Sequence, residues 1–438
     1  MKKFISTVKN IFSIEDLRIR ILNTIGFLIV FRLGSYIVLP GVDPSQLRAS
    51  SEGIFGLIDT FLGGAFSNAS IFGLGIMPYI SASIVLQLLT VGVPYFQKLQ
   101  KEGESGRKRI NQITRVLTIL ITLAQGIGYI KATIPAEAIM VSNVLFVFSS
   151  LVLLVSGTMF CMWLGEKITE KGIGNGISML IMIGIISSLP GAIIAETVSK
   201  GTSGMLLLLI EAAVLFFVVV GVVALTEATR RIPVQYAKQV VGGKVYGGQR
   251  QYIPIKVNAS GVMPIIFAQS LMFVPALIAQ VWSSESDIAN YIGSTFSNPT
   301  SWQYNLVFAI MIILFTFFYT AITVNPEQIA EDMKRNGGFV PGVKPGAPTA
   351  DFIDNIISRI TLPGAVLLAL VAIMPAFAMI AGVGNQFAQF YGGTSLLIMV
   401  GVIMDTLRQI ESYLLMRHYE GMMKSGNMKN NPSNYAVA

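Results

Sequence analysis

The sequence predicts an all-α polytopic membrane protein with ten transmembrane helices. Of its residues, 53% are hydrophobic and 12% are charged, whereas soluble domains average about 25% charged residues. Ten long apolar stretches can be separated, each near the ~20 residues that a helix needs to cross ~30 Å of hydrocarbon. They are residues 19–39, 72–92, 110–130, 144–164, 173–194, 204–226, 259–282, 305–324, 361–381 and 392–412.

The distribution of basic residues predicts the orientation of the chain. Most of the 31 Lys and Arg residues lie in the two tails and in every second connection between spans. The opposite connections carry only Arg48, Lys131 and Lys200, and Arg32 lies inside the first span. Because short basic connections stay in the cytoplasm during insertion, we expect both chain ends to be cytoplasmic. The net charge of +8 therefore predicts contact with anionic lipid and no specific DNA binding.

A short internal repeat predicts two inverted halves. Gly75-Ile76-Met77-Pro78 opens the second span, and Gly261-Val262-Met263-Pro264 opens the seventh. Equivalent helices that are five spans apart have opposite orientations in the bilayer, and matching Gly/Pro-interrupted helices mark the functional centre of such proteins. The predicted parts are a cytoplasmic tail at 1–18, halves at 19–200 and 201–412 with spans 1–5 and 6–10, and a second tail at 413–438.

The connection at 41–71 contains an apolar segment too short to span the membrane. Its apolar positions repeat at helical spacing and end at a pair of glycines. They are Ile54, Phe55, Leu57, Ile58, Phe61 and Leu62, followed by Gly63 and Gly64. The periodicity leaves two alternatives: a helix on the membrane surface, or a re-entrant element in a cavity between the spans.

Two long connections on the cytoplasmic side predict protruding structures. In 227–258, alternating patterns at 234–241 and 250–257 flank glycine pairs, which predicts a β-hairpin. In 325–360, an amphipathic helix from Glu327 to Arg335 precedes a Gly/Pro-rich tip. Rigid turns that carry basic groups favour docking to a large soluble partner over a plain orientation signal.

The sequence contains few groups suited to catalysis or coupled transport. The glycines at 172–176 lack the spacing of a dinucleotide fingerprint, and there is no Gly-Lys-Ser/Thr loop, so we expect no cofactor. Within the spans, we expect Asp405 to pair with Arg408 and Glu211 to reach interfacial water. A secondary transporter is the main alternative, since inverted repeats serve that class too. An intramembrane enzyme is a weaker alternative, because no catalytic constellation is visible.

Four segments closely resemble the bacterial SecY family, the channel subunit of the general protein-export machine. They are residues 74–84, 101–107, 162–178 and 392–398. The resemblance runs from about residue 13 to 425, in order and at family spacing. It implies two five-helix halves around a central pore. Through this pore unfolded polypeptides would be exported across the bacterial inner membrane, and membrane proteins would be inserted laterally.

The resemblance assigns roles to particular residues. The positions that match the apolar pore ring are Ile76, Ile80, Ile177, Ile181, Ile266 and Ile398. The segment at about 53–67 matches the plug, which selects the re-entrant alternative. Gln87, Gln125 and Asn258 match polar positions of a lateral gate. An apolar ring resists wetting and so blocks ions, yet it can deform around an extended chain.

The resemblance also implies partners. Since the chain has no visible nucleotide site, an elongating ribosome or the SecA ATPase would drive the nascent polypeptide. The small membrane subunits SecE and SecG complete the implied complex. The expected docking residues are Arg230, Arg231, Lys238, Lys244, Arg250 and Lys344. Most members of the family carry arginine at the position of Lys344.

Overall fold

The structure is a computed structural model that describes most of the chain. The described residues are 12–47, 59, 62–201, 204–236, 239–241, 244–246, 250–282, 295 and 298–424. α-Helices occupy all ten stretches that the sequence predicts to span the membrane. In chain order the helices are α1 Glu15–Ser35, α2 Met77–Gly92, α3 Pro94–Lys101, α4 Glu104–Thr133, α5 Asn143–Lys171, α6 Gly176–Lys200, α7 Met205–Glu227, α8 Met263–Trp282, α9 Trp302–Thr323, α10 Pro326–Arg335, α11 Ala347–Ile380, α12 Asn385–Ala388 and α13 Gly393–Lys424.

Seven of the helices among the described residues are long and apolar enough to cross a membrane. An eighth candidate is the pair of α2 and α3, which is bent by 102°. The remaining two predicted spans are α1, which contains Arg18, Arg20 and Arg32, and α8, whose described apolar part covers Met263–Met272.

Three helix starts lie several residues after the predicted starts of their spans because glycines break the helix there; one is the seventh span, expected from residue 259, whose helix begins at Met263 after Gly261. The second span was expected from residue 72, but residues 71–76 form turns and α2 begins at Met77. The fifth was expected from residue 173, but Gly174 has a φ of +81°. The helix α6 begins only after Asn175, whose Oδ1 accepts hydrogen bonds from the backbone N–H groups of Ile177 and Ser178. An Asn side chain at this position supplies an acceptor for the unpaired amides of a first helical turn.

The internal repeat has the same local structure in both copies. Gly75 has a φ of +50° and Gly261 a φ of +64°. In each copy this left-handed glycine lies two residues before a helix that starts with Met-Pro, at Met77 and Met263. Glycine is favoured at such φ values, and proline is favoured in a first helical turn. The two copies of the repeat therefore share backbone conformation as well as sequence. The inverted halves 19–200 and 201–412 stay a prediction.

The chain forms two compact units, each with its own core. The first comprises residues 1–49, 61–186 and 402–438, and the second comprises 50–60 and 187–401. In the first unit, α4 packs against α2 and α5, and α5 also packs against α1. In the second unit, α9 packs against α8 and α11.

The predicted β-hairpin is confirmed, and it belongs to a larger sheet in the second unit. Strands β1 Thr229–Tyr236 and β4 Arg250–Lys256 pair antiparallel from Thr229↔Lys256 to Gln235↔Arg250. Between them, β2 Gln239–Val241 pairs with β3 Lys244–Tyr246. The first strand begins five residues before the predicted 234–241 segment.

The two connections that are predicted to be cytoplasmic form one structure, although the sequence indicates two separate loops. Strand β5 Gly338–Phe339 from the second connection pairs with the end of β1, at Gln235↔Phe339 and Tyr236↔Gly338. A shared apolar core lies beneath the sheet. Its buried members are Ile232, Val234, Ile255, Met333, Val340, Ile353 and Ile357. We call residues 229–236, 250–256 and 326–360 the cytoplasmic module, after their predicted side of the membrane.

Candidate functional site

The residues that match the pore ring lie on four helices, and each unit carries its own subset. In the first unit, Ile76 and Ile80 lie at the start of α2, with exposed fractions of 4% and 6%. Ile177 and Ile181 lie in the first turns of α6, where Ile177 is half-buried and Ile181 is buried. In the second unit, Ile266 on α8 is half-buried and Ile398 on α13 is buried. All six are branched aliphatic side chains at a helix start: Ile76 immediately precedes α2, and the other five lie in the first two turns of their helices.

Close contact between α5 and α6 positions Ile177. A Cβ atom on Gly176 would overlap the carbonyl oxygen of Gly165, and a Cβ on Gly165 would lie 3.1 Å from Cγ1 of Ile177. Because both positions are glycine, the two helices approach at backbone distance. Ile177 is thereby seated against α5.

Backbone N–H groups of the glycine-rich turn at 172–176 donate hydrogen bonds to side chains of the first unit. The backbone N–H of Ile173 donates to Thr24 Oγ1 at 3.0 Å, and that of Gly174 donates to Gln409 Oε1 at 2.8 Å. The N–H of Gly176 donates to Thr169 Oγ1 at 2.9 Å. These amides have protein acceptors, so they do not form a phosphate cradle. The turn instead orients the start of α6, on which Ile177 and Ile181 lie.

A second glycine motif positions Ile398. Gly393 has a φ of +62°, and a Cβ on Gly392 would overlap the carbonyl oxygen of Val371 on α11. A Cβ on Gly393 would lie 3.1 Å from Pro375 Cγ. The start of α13 therefore lies directly against α11 at a proline within that helix, and Ile398 follows one turn later.

The predicted plug lies largely outside the described residues. This applies to Ile54, Phe55, Leu57, Ile58 and Phe61. Leu62 is helical and buried, and Gly63 and Gly64 follow with φ values of +60° and +87°. The prediction that these glycines end the apolar helical run is confirmed at that point. We call residues 62–70 the plug base.

Gln87 and Asn258, two of the residues that match a polar gate, form hydrogen bonds with residues of the same helix or turn. Gln87 Nε2 donates to Ser83 Oγ on the same helix at 3.4 Å. Asn258 is buried, and its Oδ1 accepts a hydrogen bond from Ser260 Oγ at 3.2 Å. Gln125 is half-buried on α4. The role of these three residues in a lateral gate stays a prediction.

The predicted docking residues that the structure describes lie on the cytoplasmic module. Arg230 and Arg231 are exposed at the start of β1, while Ile232 and Val234 on the same strand are buried. Lys344 is exposed in the tip, and its carbonyl oxygen accepts a hydrogen bond from Thr349 Oγ1 at 2.8 Å. Lys238 and the side chains of Lys244 and Arg250 lie outside the described residues.

The second unit contains a buried ionic cluster that the sequence analysis missed. Lys200 Nζ lies 2.8 Å from Glu196 Oε1 and also contacts Glu211 Oε1. The backbone N–H of Gly384 donates to Glu196 Oε2 at 3.0 Å, so the cluster ties the loop after α11 to the end of α6. The expectation that Glu211 reaches interfacial water is wrong, because it is 7% exposed. Glu196 lies just beyond the predicted span at 173–194, and its spacing of four residues from Lys200 fits a helical ion pair, but nothing in the sequence brings Glu211 to the same cation.

The pairing of Asp405 with Arg408 is confirmed. Oδ1 of Asp405 lies 3.9 Å from Nη1 of Arg408, and Asp405 is exposed. The pair lies one helical turn apart on α13. A pairing at this spacing can be read from sequence, as can that of Glu196 with Lys200, whereas the contact of Glu211 with Lys200 cannot.

Comparison with solved structures defines the class of the fold. A structure described as that of a protein-conducting channel aligns with a TM-score of 0.67, at 17% identity, over 90% of this chain and 92% of its own. Sec61 in a canine ribosome-channel complex aligns with a TM-score of 0.63, at 17% identity, over 90% of this chain and 92% of its own. The fold is therefore that of a polytopic helical membrane protein of the protein-conducting-channel type.

Sequence comparison supplies the family. Residues 70–407 match the SecY family. The protein translocase subunit SecY of Streptomyces coelicolor is 40% identical over 435 residues, covering 94% of this chain and 98% of its own. The subunit of the same description from Mycobacterium bovis is 39% identical over 447 residues, covering 97% of this chain and all of its own. The chain belongs to the SecY family, which excludes the alternatives of a secondary transporter and an intramembrane enzyme.

Proposed function

We propose that this chain is the channel subunit of a bacterial protein translocase and conducts unfolded polypeptide across the cytoplasmic membrane. Family membership over nearly the whole chain carries this conclusion. The subunit is not an enzyme. It provides the pore through which the polypeptide passes and the constriction that blocks ions. The six isoleucines at 76, 80, 177, 181, 266 and 398 form the seal in this proposal, because a narrow apolar constriction excludes water and ions.

Lateral insertion into the bilayer needs no chemistry from the channel. A nascent segment that is exposed to both pore water and lipid partitions by its own transfer free energy. Each Leu or Ile contributes about −0.3 to −0.6 kcal/mol, and a central Lys or Arg costs about 2.5 to 3.5 kcal/mol. In this proposal Gln87, Gln125 and Asn258 line the gate through which the segment leaves, and residues 53–67 form the plug.

Directional movement of the substrate requires a separate motor. We place the docking of a ribosome or of the SecA ATPase on the cytoplasmic module, with SecE and SecG as membrane partners of the complex. The exposed basic groups Arg230, Arg231 and Lys344 support this placement. The continuous sheet beneath them gives a rigid platform, since the core of the module includes residues from both connections. Anionic lipid is expected at the same membrane surface.

The seal is tested by ion conductance of the reconstituted complex in planar bilayers. Replacing both Ile80 and Ile181 with Ser should wet the constriction and raise the resting conductance. Ile194→Ser is the matched control, because Ile194 lies on the same helix as Ile181 and is 62% exposed. Unchanged resting conductance in the double variant would remove these residues from the seal.

A further inference from the structure

The plug base is held in place by two side chains of the first unit that have no assigned role. Arg32 lies well inside the first predicted span, whereas Arg20 lies at its edge. A charged side chain within a span is costly unless it has partners, so its partners indicate its role. Arg32 Nη1 donates to the carbonyl oxygen of Gly63 at 2.9 Å, and Nη2 donates to the hydroxyl of Tyr36 at 3.1 Å.

The contact with Gly63 lies where the apolar helical run ends. Leu62 is the last helical residue, and Gly63 and Gly64 then adopt left-handed conformations. Carbonyl groups at a helix end lack intrahelical partners, and basic side chains satisfy them favourably. The guanidinium of Arg32 also lies 5.3 Å from the ring centroid of Tyr36, so Tyr36 orients it from the same helix face.

The second holding contact comes from α4. The hydroxyl of Tyr129 donates to the carbonyl oxygen of Phe66 at 2.8 Å, and its ring packs edge-on against the Phe66 ring at 4.8 Å. Tyr129 and Phe66 are each 3% exposed. The absence of a side chain on Gly73 makes room for this hydroxyl, since a Cβ there would overlap it.

The backbone at the end of the plug base forms hydrogen bonds with the residues that follow α1. The N–H of Leu39 donates to the carbonyl of Ala69 at 2.8 Å, and the N–H of Ile71 donates to the carbonyl of Ile37 at 2.9 Å. Arg32 and Tyr129 therefore act on the side of the plug base nearest to residue 62. Both of their contacts lie at the described end of the predicted plug.

We propose that Arg32 and Tyr129 are positioning residues for the closed channel, which fix the main chain at Gly63 and Phe66 so that the predicted plug returns to one place. This inference rests on the proposed function, since a plug has meaning only in a channel. Removing either contact should loosen the plug base, and the resting channel should leak while the helices stay folded.

The first experiment measures amide hydrogen exchange of residues 63–70 in the purified, reconstituted complex. Arg32→Met removes the charged donor and keeps a long side chain. It should speed local exchange on the order of 10- to 100-fold, the factor for one charged hydrogen bond. Tyr129→Phe keeps the ring and should speed exchange about 2- to 10-fold. Arg32→Lys should restore most of the protection, because lysine can also donate to the Gly63 carbonyl.

The control is Tyr36→Phe, which removes a hydroxyl that binds Arg32 but does not contact the plug base. It should change exchange less than Tyr129→Phe does. Unchanged exchange in both Arg32→Met and Tyr129→Phe would overturn the proposal, whether or not the complex conducts. This arm therefore does not depend on channel function.

The second experiment measures resting conductance and the melting temperature of the same variants. The proposal expects increased conductance in Arg32→Met and Tyr129→Phe, rescue by Arg32→Lys, and a melting temperature close to that of the wild type. Faster exchange with wild-type conductance would show that the contacts do not position the seal, and it would overturn the proposal. If the Ile80→Ser and Ile181→Ser double variant fails to leak as well, the failure belongs to the proposed function.

Discussion

The side chain of Lys344 is exposed while its backbone is fixed. The turn Val340–Val343 is closed by a backbone hydrogen bond of 3.1 Å, and the Lys344 carbonyl is bound by Thr349. A fixed backbone with a free ammonium group suits recognition by charge. Lysine is a compact point charge, whereas arginine offers a planar fork for paired hydrogen bonds.

At Lys344 we expect reversal of the charge to matter and the change to arginine to be nearly neutral. Lys344→Glu should weaken partner affinity and slow partner-driven translocation, because the tip would repel phosphate or acidic groups. Lys344→Arg should keep both. The measurement is affinity and translocation at two salt concentrations, and the loss should shrink at high salt. Lys131→Glu, an exposed lysine on a connection of the opposite set, is the control; a fully active Lys344→Glu variant would refute docking at this tip.

Lys200 should be among the residues whose loss costs most stability. Lys200→Met leaves Glu196 and Glu211 buried without their shared cation, and breaking a buried ion pair costs about 3 to 5 kcal/mol. Thermal unfolding of the purified protein measures the loss, with Lys131→Met as the exposed control. Combining Lys200→Met with Glu196→Gln and Glu211→Gln should recover most of it, because the uncompensated charges are gone. Equal melting temperatures for Lys200→Met and the control would contradict the prediction.

At the scale of elements, two of the three glycines of α6 have opposite surroundings. Gly176 faces the backbone of α5 at Gly165, whereas an added Cβ on Gly191 would meet no atom within 4 Å. Gly176→Ala should separate the two helices and cost about 1 to 3 kcal/mol through overpacking. Gly191→Ala should be neutral or stabilising, by up to about 1 kcal/mol. Melting temperatures of the two variants decide the matter, and equal values would mean that α5 and α6 do not need the close approach.

The local elements could be predicted from the sequence because their causes are local. The apolar runs indicated the helices, and glycine pairs indicated the hairpin and the end of the apolar run at Gly63. The helix starts at Met77 and Gly176 were missed by a few residues, since hydropathy does not register a left-handed glycine inside an apolar run.

The features that were missed depend on residues distant in sequence. Strand β5 has only two residues, Gly338 and Phe339, and no alternating pattern, so nothing in its sequence predicts pairing with β1. The same holds for Glu196, which binds Gly384 from 188 positions away. The roles of the isoleucines came from the family resemblance, because an isoleucine in a span carries no signal of its own.

At the scale of the whole molecule, orientation in the membrane can be tested with single cysteines. Cys161 is fully buried, so it gives little background with a membrane-impermeant maleimide. Lys131→Cys should react in intact cells and Lys344→Cys should react only in inverted vesicles, because basic connections stay in the cytoplasm. Both positions are exposed. Labelling of Lys344→Cys from outside would reverse the predicted orientation.

The sheet shared by the two connections of the cytoplasmic module sets an order of folding events during synthesis of the chain. The hairpin of β1 and β4 can close as soon as residue 256 is made, but β5 is complete only about 80 residues later. At roughly 5 to 20 residues per second, the hairpin waits on the order of 4 to 16 s for its third strand. During that wait its apolar face at Ile232, Val234 and Ile255 has no cover from Met333 or Ile353. Each newly synthesised chain thus passes through an interval in which this apolar surface is exposed. In that interval we expect protection by chaperones to matter most.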